Sequence, residues 1–439
     1  MTFSSLSRTQ IRRWLARTIY KFKYNSPVAE IQKRALRMGE CDYQFVKRYQ
    51  TVLFNEVWKN AYTQFSIYSD LKKSFGLPDR VECIDEVSLF PILTRQMIQE
   101  YSAKIQSEAH SSAVRSTGGS SGEPLEFPVD FSNERRSFLN LSAGRLIHKI
   151  SSEDRLALVW GHSHLFGSGL RGRLNVLVRK TQDYLVNIDR FNAYDSTEKA
   201  AANYANSIAL GNYKAVIGYS STLRAIAWAA PELSSFPSKW ILTSEQIYPT
   251  DQKLFWDRMN AEIVCEYGLA EFGPVAYSLA QSEELAWFWW SFAAFIEEDG
   301  ALRLTDLEAT AFPFINYQTG DLVETTENAL RWKSVRGRDG LELRLPVLGG
   351  DLIEVHSELL THIIKNSNTR AFNLEQGEEG LTIHLACISG QLEGIARAII
   401  RDILLEYPNV DTSRIHIDGK YIKVPTLAGK ERINVSILE

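Results

Sequence analysis

The stretch that decides the fold runs from residue 213 to residue 268, where short apolar runs alternate with helical segments. YKAVIGYS (213–220), KWILTS (239–244) and EIVCEYG (262–268) are separated by STLRAIAWAA (221–230) and DQKLFWDRMN (251–260). Strands alternating with helices of this length predict an α/β fold with mostly parallel sheets covered by helices. Such sheets bind ligands at the carboxyl ends of their strands.

The same pattern extends to both sides of this stretch. Upstream, RLALVW (155–160) and LNVLVR (174–179) are apolar runs typical of strands. Downstream, LAWFWWSFAAFI (285–296) is crowded with aromatic residues, which predicts a buried strand or a seam between domains. It is the longest apolar run and is too short to cross a bilayer, so we expect no transmembrane segment.

Composition narrows the class of protein. The 439 residues are 44% apolar and 23% charged with a formal net charge of −4, which predicts a globular protein with no general affinity for nucleic acid. The four cysteines form no CxxC pair, which argues against a disulfide scaffold or a zinc ribbon. Together with an amino terminus that lacks an apolar signal core, this predicts a cytoplasmic location.

A change in sequence composition after residue 337 predicts two domains. Glycine-rich RGRDG (336–340) precedes a tail of mixed strands and helices. We expect a large N-terminal domain over residues 1–337 and a small, mobile C-terminal α+β domain over residues 338–439.

The first hundred residues are expected to be helical and basic at the start. Residues 1–50 contain eleven Lys or Arg and three Asp or Glu. Within residues 8–23 an apolar stripe recurs at helical spacing, formed by Ile11, Trp14, Leu15, Ile19 and Phe22. Two interpretations remain open: a helix that contacts a membrane surface or a partner, or a helix packed on its own domain with a solvated basic side.

The stretch most informative about chemistry is STGGSSGEP (116–124). Glycines and hydroxyl residues at this density allow backbone N–H groups to form an anion-binding nest. It is not a Walker loop, because Glu123 stands where that motif requires lysine. The residues of the candidate anion loop are Ser116, Thr117, Gly118, Gly119, Ser120, Ser121 and Gly122.

This loop resembles the phosphate-loop signature of the adenylate-forming superfamily, which comprises acyl-CoA synthetases, peptide-synthetase adenylation domains and luciferases. Four further motifs follow in the order of that superfamily. EYGLAE (266–271) resembles its YGxxE motif, YQTGD (317–321) its YxTGD motif, and GRD (337–339) its hinge motif. Pro425 with Gly429-Lys430 resembles its C-terminal lysine motif.

The resemblance implies a role for each matched position, with ATP and Mg²⁺ as cofactors. The anion loop would bind the phosphates of ATP, and Glu271 would bind Mg²⁺. The nucleotide site would further comprise Glu266, Tyr267 against the adenine, Gly268, Asp321 on the ribose hydroxyls, and Arg338. Asp339 would be the hinge about which the small domain rotates, and Lys430 would be the catalytic residue that bridges carboxylate and α-phosphate.

Two more stretches, LFPILTR (89–95) and GYSSTLRAIA (218–227), resemble the phenylacetate–CoA ligase and capsular-polysaccharide-biosynthesis branch. This implies a small carboxylic acid as substrate and CoA, an amine or a carrier protein as acyl acceptor, with surface-polysaccharide biosynthesis as a context.

The acyl pocket is expected in loops after predicted strands. Candidates are His162, His164, Tyr219, Ser244 and Glu245. The two histidines are either metal ligands or hydrogen-bonded members of a strand-end loop.

The sequence therefore predicts an AMP-forming acid ligase: ATP and an acid give an acyl-adenylate and pyrophosphate, and the acyl group then moves to a nucleophile. Two alternatives stay open. One is an acyl-protein synthetase that uses Cys265 or Cys387, and the other is a catalytically silent nucleotide-binding scaffold of a glycan-assembly complex.

Overall fold

The structure is a computed structural model. It describes residues 7–111, 113–116, 125–161, 169–193, 198–231, 235–245, 247, 249–280, 282–336, 342–350, 352–356, 360, 363–364, 369, 371–377, 380–387, 390–407, 409–421 and 435–437. In these residues the helices are α1 (Arg8–Lys23), α2 (Val28–Arg37), α3 (Tyr43–Gln64), α4 (Ser66–Phe75), α5 (Arg95–Glu108), α6 (Phe131–Ile147), α7 (Gly169–Leu185), α8 (Glu198–Leu210), α9 (Ser220–Trp228), α10 (Pro249–Met259) and α11 (Leu392–Glu406).

The strands of the same residues are β1 (Ala113–Ser116), β2 (Glu126–Val129), β3 (Leu156–Trp160), β4 (Ile188–Asn192), β5 (Ala215–Tyr219), β6 (Lys239–Thr243), β7 (Glu262–Leu269), β8 (Gly273–Ser278), β9 (Leu285–Trp287), β10 (Phe292–Ile296), β11 (Ala301–Asp306), β12 (Tyr317–Thr325), β13 (Arg331–Arg336), β14 (Glu342–Pro346), β15 (Leu352–His356), β16 (Ala371–Gln376), β17 (Leu381–Ala386), β18 (Ile415–Asp418) and β19 (Val435–Ile437). Short 3-10 helices cover Ile84–Leu89 and Thr412–Arg414.

One sheet of eleven strands forms the centre of the fold, in the order β10-β11-β12-β13-β9-β8-β7-β6-β5-β3-β4. The strands β4, β3, β5, β6 and β7 pair in parallel. From β7 onward the neighbours pair antiparallel, and all of these pairs except β9 with β13 are consecutive strands joined by short connections. The predicted α/β class, with a helix-covered sheet and a small C-terminal domain, is confirmed, and the parallel part of the eleven-stranded sheet is confined to residues 156–269.

Both faces of the parallel half are buried, which explains the continuous apolar runs of its strands. On one face, Val216 and Trp240 pack with Leu223 of α9 and Phe255 of α10. On the other face, residues such as Ile217, Ile241 and Val264 belong to the larger core cluster of the chain.

The prediction of a strand at LNVLVR was wrong, because residues 174–179 lie inside α7. The strand that follows β3 is β4, which the sequence pattern did not indicate. Parallel neighbours need a long crossover, and α7 supplies it. The run therefore forms the crossover helix between β3 and β4 in spite of its local β-propensity.

The aromatic run 285–296 forms β9 and β10, joined by a tight buried turn. Trp287, Trp289, Trp290 and Phe292 are all less than 4% exposed. The prediction of buried strand structure here is confirmed.

Helix α1 packs on its own domain through a polar contact. Arg12 donates to the carbonyls of Tyr184 and Ile188 and to Asp189 Oδ1, at 3.3, 3.3 and 3.0 Å. The predicted apolar stripe is split, since Arg12 and Ala16 are buried whereas Phe22 of the stripe is 79% exposed. Contact of residues 8–23 with a membrane surface stays a prediction. Among the described residues, no helix has the length and apolarity needed to cross a bilayer.

The C-terminal part has a core of its own, formed by residues between 343 and 415 such as Leu374, Ile383 and Ile399. Its main sheet has the order β18-β17-β16-β19, and the pair β14–β15 forms a separate ribbon. On this sheet His384 lies between Asp418 Oδ1, 2.8 Å from Nδ1, and Glu375 Oε2, 2.9 Å from Nε2. The boundary at residues 337–338 and the hinge Asp339 lie outside the described residues and stay predictions.

Candidate functional site

The edge at which the sequence predicts ligands is formed by the ends of parallel strands. Strands β3, β5, β6 and β7 are parallel, so their carboxyl ends meet at one edge, at Trp160, Tyr219, Thr243 and Leu269. The strand order β5-β3-β4 reverses the direction of the crossovers between β3 and β5. Open α/β sheets bind ligands in the crevice at such a switch point.

Two predicted nucleotide-site residues meet directly. The hydroxyl of Tyr267, on β7, donates to Asp321 Oδ2 of β12 at 2.7 Å. Burial first, and then the neighbouring Asp321 carboxylate, raise the pKa of Tyr267 well above its ordinary value, so that the hydroxyl stays protonated as the donor. The ring also lies 5.9 Å from that of Trp332, near edge-on.

The predicted magnesium ligand joins the same cluster. Glu271 lies in the turn between β7 and β8 and is 4% exposed. Its Oε1 accepts a hydrogen bond of 3.0 Å from the hydroxyl of Tyr317, which begins β12. The Glu271 carboxylate also contributes to the raised pKa of Tyr267, after burial and Asp321.

Strand β12 holds Tyr317 and Asp321 on one buried face, because alternate residues of a strand point the same way. Gly320 in this strand has a φ of +77°, which favours glycine and explains that residue of the YQTGD motif. Tyr317 is fixed from the other side by a β-bridge to Leu93, within the LFPILTR segment. The LFPILTR and YQTGD segments are therefore in direct contact.

The anion loop begins beside this cluster. Ser116 ends β1 and is registered with Glu126 of β2, whereas Thr117, Gly118, Gly119, Ser120, Ser121 and Gly122 lie outside the described residues. Arg115, next to Ser116, donates from Nη1 to the carbonyl of Ala270 at 3.2 Å. Burial, and then the neighbouring Arg136, lower the pKa of Arg115 from its high ordinary value. The start of the loop is thus fastened to the turn that carries Glu271.

Glu266 is not part of this cluster. It precedes Tyr267 in β7, and consecutive residues of a strand point to opposite faces. Its Oε2 lies 3.6 Å from Nη2 of Arg145 on α6. Gly268 is required by close packing, since a Cβ there would lie 2.7 Å from the carbonyl oxygen of Gly273.

The described candidates for the acyl pocket lie at the carboxyl edge. Tyr219 packs its ring 4.5 Å from that of Trp160. Glu245 Oε2 accepts a hydrogen bond of 2.7 Å from the backbone N–H of Ser221, at the start of α9. Ser244 beside it has a φ of +66°. His162 and His164 lie outside the described residues.

Three predicted residues of the lid also lie outside the described residues: Arg338, Asp339 and Lys430. Their roles stay predictions from the motifs.

Sequence reasoning missed three residues that shape the site: Tyr317 as the partner of Glu271, and Arg145 and Tyr277 around Glu266. The sequence could have indicated Tyr317, because this residue is the first of the YQTGD motif. Arg145 and Tyr277 had none, because Arg145 reaches Glu266 through the packing of α6 and Tyr277 through the pairing of β8 with β7.

No protein-family model and no curated protein sequence matches this chain. Solved structures do match. A 2-hydroxyisobutyryl-CoA ligase in the postadenylation state with 2-HIB-AMP aligns at a TM-score of 0.65 with 14% identity over 88% of each chain. The fold is that of an acyl-CoA ligase. The same ligase with R3-HIB-AMP gives 0.65 at 13% identity over 88% of each chain. In the thioesterification state with 2-HIB-AMP and CoA it gives 0.54 at 14% identity, over 91% of this chain and 92% of the other.

Proposed function

We propose that this chain is an AMP-forming acid ligase, which activates a carboxylic acid with ATP and transfers the acyl group to CoA. The observations that carry the proposal are two hydrogen bonds that join two separate motifs of the adenylate-forming superfamily, Tyr267 to Asp321 and Tyr317 to Glu271. These bonds lie beside the carboxyl edge of a sheet with the fold of acyl-CoA ligases.

In the first half-reaction a carboxylate oxygen attacks the α-phosphorus of ATP. The bond between that phosphorus and the oxygen bridging to the β-phosphate breaks, and pyrophosphate leaves. Both reactants are anions, so the site has to supply positive charge and alignment. Arg115, fastened to Ala270 at the start of the anion loop, is a described cation in a position to do so.

The nucleotide site uses the Tyr267–Asp321 pair. The hydrogen bond from Tyr267 fixes the orientation of the Asp321 carboxylate. A carboxylate has about four acceptor sites, so one such bond is compatible with further bonds from the two ribose hydroxyls. The ring of Tyr267 would lie against the adenine.

The residues around Glu271 fit a magnesium ion that is bound mainly by phosphate oxygens and water. Within the described residues, no group of three or more His, Cys, Asp or Glu could enclose a metal. A single carboxylate plus phosphates is how Mg²⁺ is commonly bound beside nucleotides. Bound there, the ion would neutralise phosphate charge. Tyr317 would keep Glu271 in the required orientation.

In the second half-reaction the sulfur of CoA attacks the acyl carbon, the bond from that carbon to the AMP oxygen breaks, and the thiol proton leaves. CoA is favoured as acceptor because the structurally similar ligase has been solved with 2-HIB-AMP and CoA. Amines and carrier proteins remain alternative acceptors.

The alternative of an acyl-protein synthetase that uses Cys265 is disfavoured by the environment of that thiol. Burial, and then the neighbouring Glu266, raise the pKa of Cys265 to about 12. A thiol is nucleophilic only as the thiolate, so Cys265 would be inert at neutral pH.

Several finer parts of the proposal rest on sequence resemblance or composition alone. These are the phenylacetate–CoA ligase and capsular branch, a role in surface-polysaccharide biosynthesis, the cytoplasmic location, the hinge at Asp339 and the catalytic role of Lys430.

The test is acid-dependent formation of AMP and an acyl-adenylate from ATP and Mg²⁺, with hydroxylamine as trap and a panel of small acids. We expect AMP, pyrophosphate and an acyl hydroxamate with at least one acid, and their loss in Asp321→Ala. Asp411→Ala, on the surface of the C-terminal part, is the matched control. ATP binding without turnover of any acid would instead favour the silent nucleotide-binding scaffold.

A further inference from the structure

One line of residues fixes helix α1 to the rest of the chain. Its members follow at intervals of four and therefore lie along one side of the helix: Arg12, Ala16, Tyr20 and Tyr24. Arg12 donates hydrogen bonds to α7 and β4. The rings of Tyr20 and Tyr24 lie 4.8 and 4.0 Å from the ring of Phe138 on α6. These contacts define the side of α1 that faces its own domain.

Two large aromatic side chains lie on the other side of α1. At about 100° per residue, Trp14 and Phe22 each stand about 140° around the helix from the middle of the buried line. Trp14 is 46% exposed and Phe22 is 79% exposed. Phe131, whose ring lies 6.0 Å from that of Tyr24 at the end of the helix, is 52% exposed. Apolar surface grouped in this way is typical of a site that contacts another body.

Basic side chains flank these aromatic residues. Arg17 and Lys21 follow Trp14 by three and seven positions, so they lie beside it on the helix surface, and both are exposed. In the part of the chain that the structure describes, neither of them takes part in an ion pair. Trp14, Arg17, Lys21 and Phe22 together form what we call the outer face of α1.

The charge around the outer face is opposite in sign to that of the whole chain. Residues 8–23 contain six Lys or Arg and no Asp or Glu, whereas the formal net charge of the chain is −4. A second copy that docked through the same face by two-fold symmetry would oppose like charges. The chemistry of this face therefore fits an anionic partner that also offers an apolar layer.

A membrane surface with acidic headgroups has both properties, because the acyl chains lie directly beneath the charges. Tryptophan is enriched at this depth, where one part of its ring system is apolar and its N–H remains hydrated. Lys and Arg side chains reach from such a helix to the headgroups while their stems stay on apolar surface.

We propose that the outer face of α1 binds the surface of an anionic lipid membrane. Trp14 and Phe22 insert at the level of the headgroups, and Arg17 and Lys21 pair with acidic lipid groups. The helix lies in the plane of the membrane, and the line that contains Arg12 keeps it attached to its domain. This inference does not depend on the proposed ligase function.

The experiment is co-sedimentation of the full chain with vesicles of phosphatidylcholine alone, or of phosphatidylcholine and phosphatidylserine in equal parts. We expect binding to the anionic vesicles, weakened by high salt, and little binding to the neutral ones. Arg17→Gln/Lys21→Gln should lower the partition coefficient about 25-fold, at about fivefold for each cation near such a surface. Trp14→Ser/Phe22→Ser should lower it about 10-fold or more through lost apolar burial.

Two matched control variants change the same kinds of side chain elsewhere. Lys253→Gln/Arg397→Gln removes two exposed cations from α10 and α11. Trp256→Ser/Leu210→Ser removes two exposed apolar side chains from α10 and α8. Both controls should bind vesicles like the wild type, and thermal unfolding should show that all variants are folded.

Absence of binding to the anionic vesicles would overturn the inference, and so would binding that the outer-face variants retain or that the controls lose equally. Binding of a nucleic-acid oligomer, or self-association in sedimentation velocity, that depends on Trp14 and Phe22 while vesicles are ignored would overturn it too and assign the face to that partner. Pyrophosphate exchange is measured without vesicles, so failure of this inference is distinguishable from failure of the ligase function.

Discussion

Replacing Tyr317 by phenylalanine tests how the candidate magnesium ligand is held. The substitution removes the hydroxyl that donates to Glu271 Oε1 at 3.0 Å, in a place where both side chains are at most 4% exposed. A hydrogen bond to a charged group contributes about 1.5–3 kcal/mol, which corresponds to about a 10- to 150-fold change in an equilibrium. If Glu271 binds Mg²⁺ with phosphate oxygens, the half-saturating Mg²⁺ concentration in pyrophosphate exchange should rise by this factor.

The measurement is a titration of exchange rate against Mg²⁺ at saturating ATP and acid. Tyr213→Phe is a matched control, because it also removes a tyrosine hydroxyl that donates to a carboxylate at 3.0 Å, in Asp189. It should change thermal stability but not the magnesium requirement. An unchanged magnesium requirement in a folded Tyr317→Phe protein would refute the assignment of Glu271.

Three other predictions concern packing, pH and thiol chemistry. Gly144→Ala should lower the free energy of unfolding by about 1–3 kcal/mol in denaturant titrations, because the added Cβ would overlap the ring of Tyr277. The control is Gly394→Ala in α11, which has open space around it and should raise the free energy of unfolding by about 0.4–1 kcal/mol. Equal effects of the two substitutions would contradict the close packing of α6. Burial lowers the pKa of His384, but its hydrogen bonds with the carboxylates of Glu375 and Asp418 outweigh burial and raise it. The stabilisation by protonated His384 is therefore complete below about pH 6.5 and is lost as the pH rises through the raised pKa. Melting curves of His384→Gln should lack this loss, and a pH profile like that of the wild type would contradict the role of the two carboxylates. Native protein treated with iodoacetamide at pH 8 should remain unmodified at Cys265 by mass spectrometry, and rapid labelling there would show that the thiol is not buried as described.

The contact between Tyr267 and Asp321 could be anticipated from the sequence, because their motifs assign both residues to one predicted nucleotide site although they are 54 positions apart. The ligand edge was also predictable, since apolar runs alternating with helices leave little choice but a parallel sheet. The rule that consecutive strand residues face opposite ways could have predicted that Glu266 lies on the opposite face of β7 from Tyr267. The alternation of faces follows directly from the prediction that EIVCEYG is a strand.

Other features depend on long-range packing that no local pattern records. LNVLVR has the composition of a strand but serves as a crossover helix, since tertiary context overrides β-propensity. Arg12 is buried although it lies in a basic segment. Helix α7 and strand β4 supply its hydrogen-bond acceptors, which are the carbonyls of Tyr184 and Ile188 and the carboxylate of Asp189. Arg145 likewise meets Glu266 only through the packing of α6 on the sheet.

The most direct test of the ligase assignment is exchange of labelled pyrophosphate into ATP by the wild-type chain and by Lys430→Ala, with the acid that gives the fastest turnover. We expect acid-dependent exchange in the wild type and its loss in the variant, while calorimetry shows ATP affinity within several-fold of the original. Undiminished exchange by Lys430→Ala would remove the lysine from the chemistry, and acid-independent behaviour of the wild type would contradict adenylation altogether.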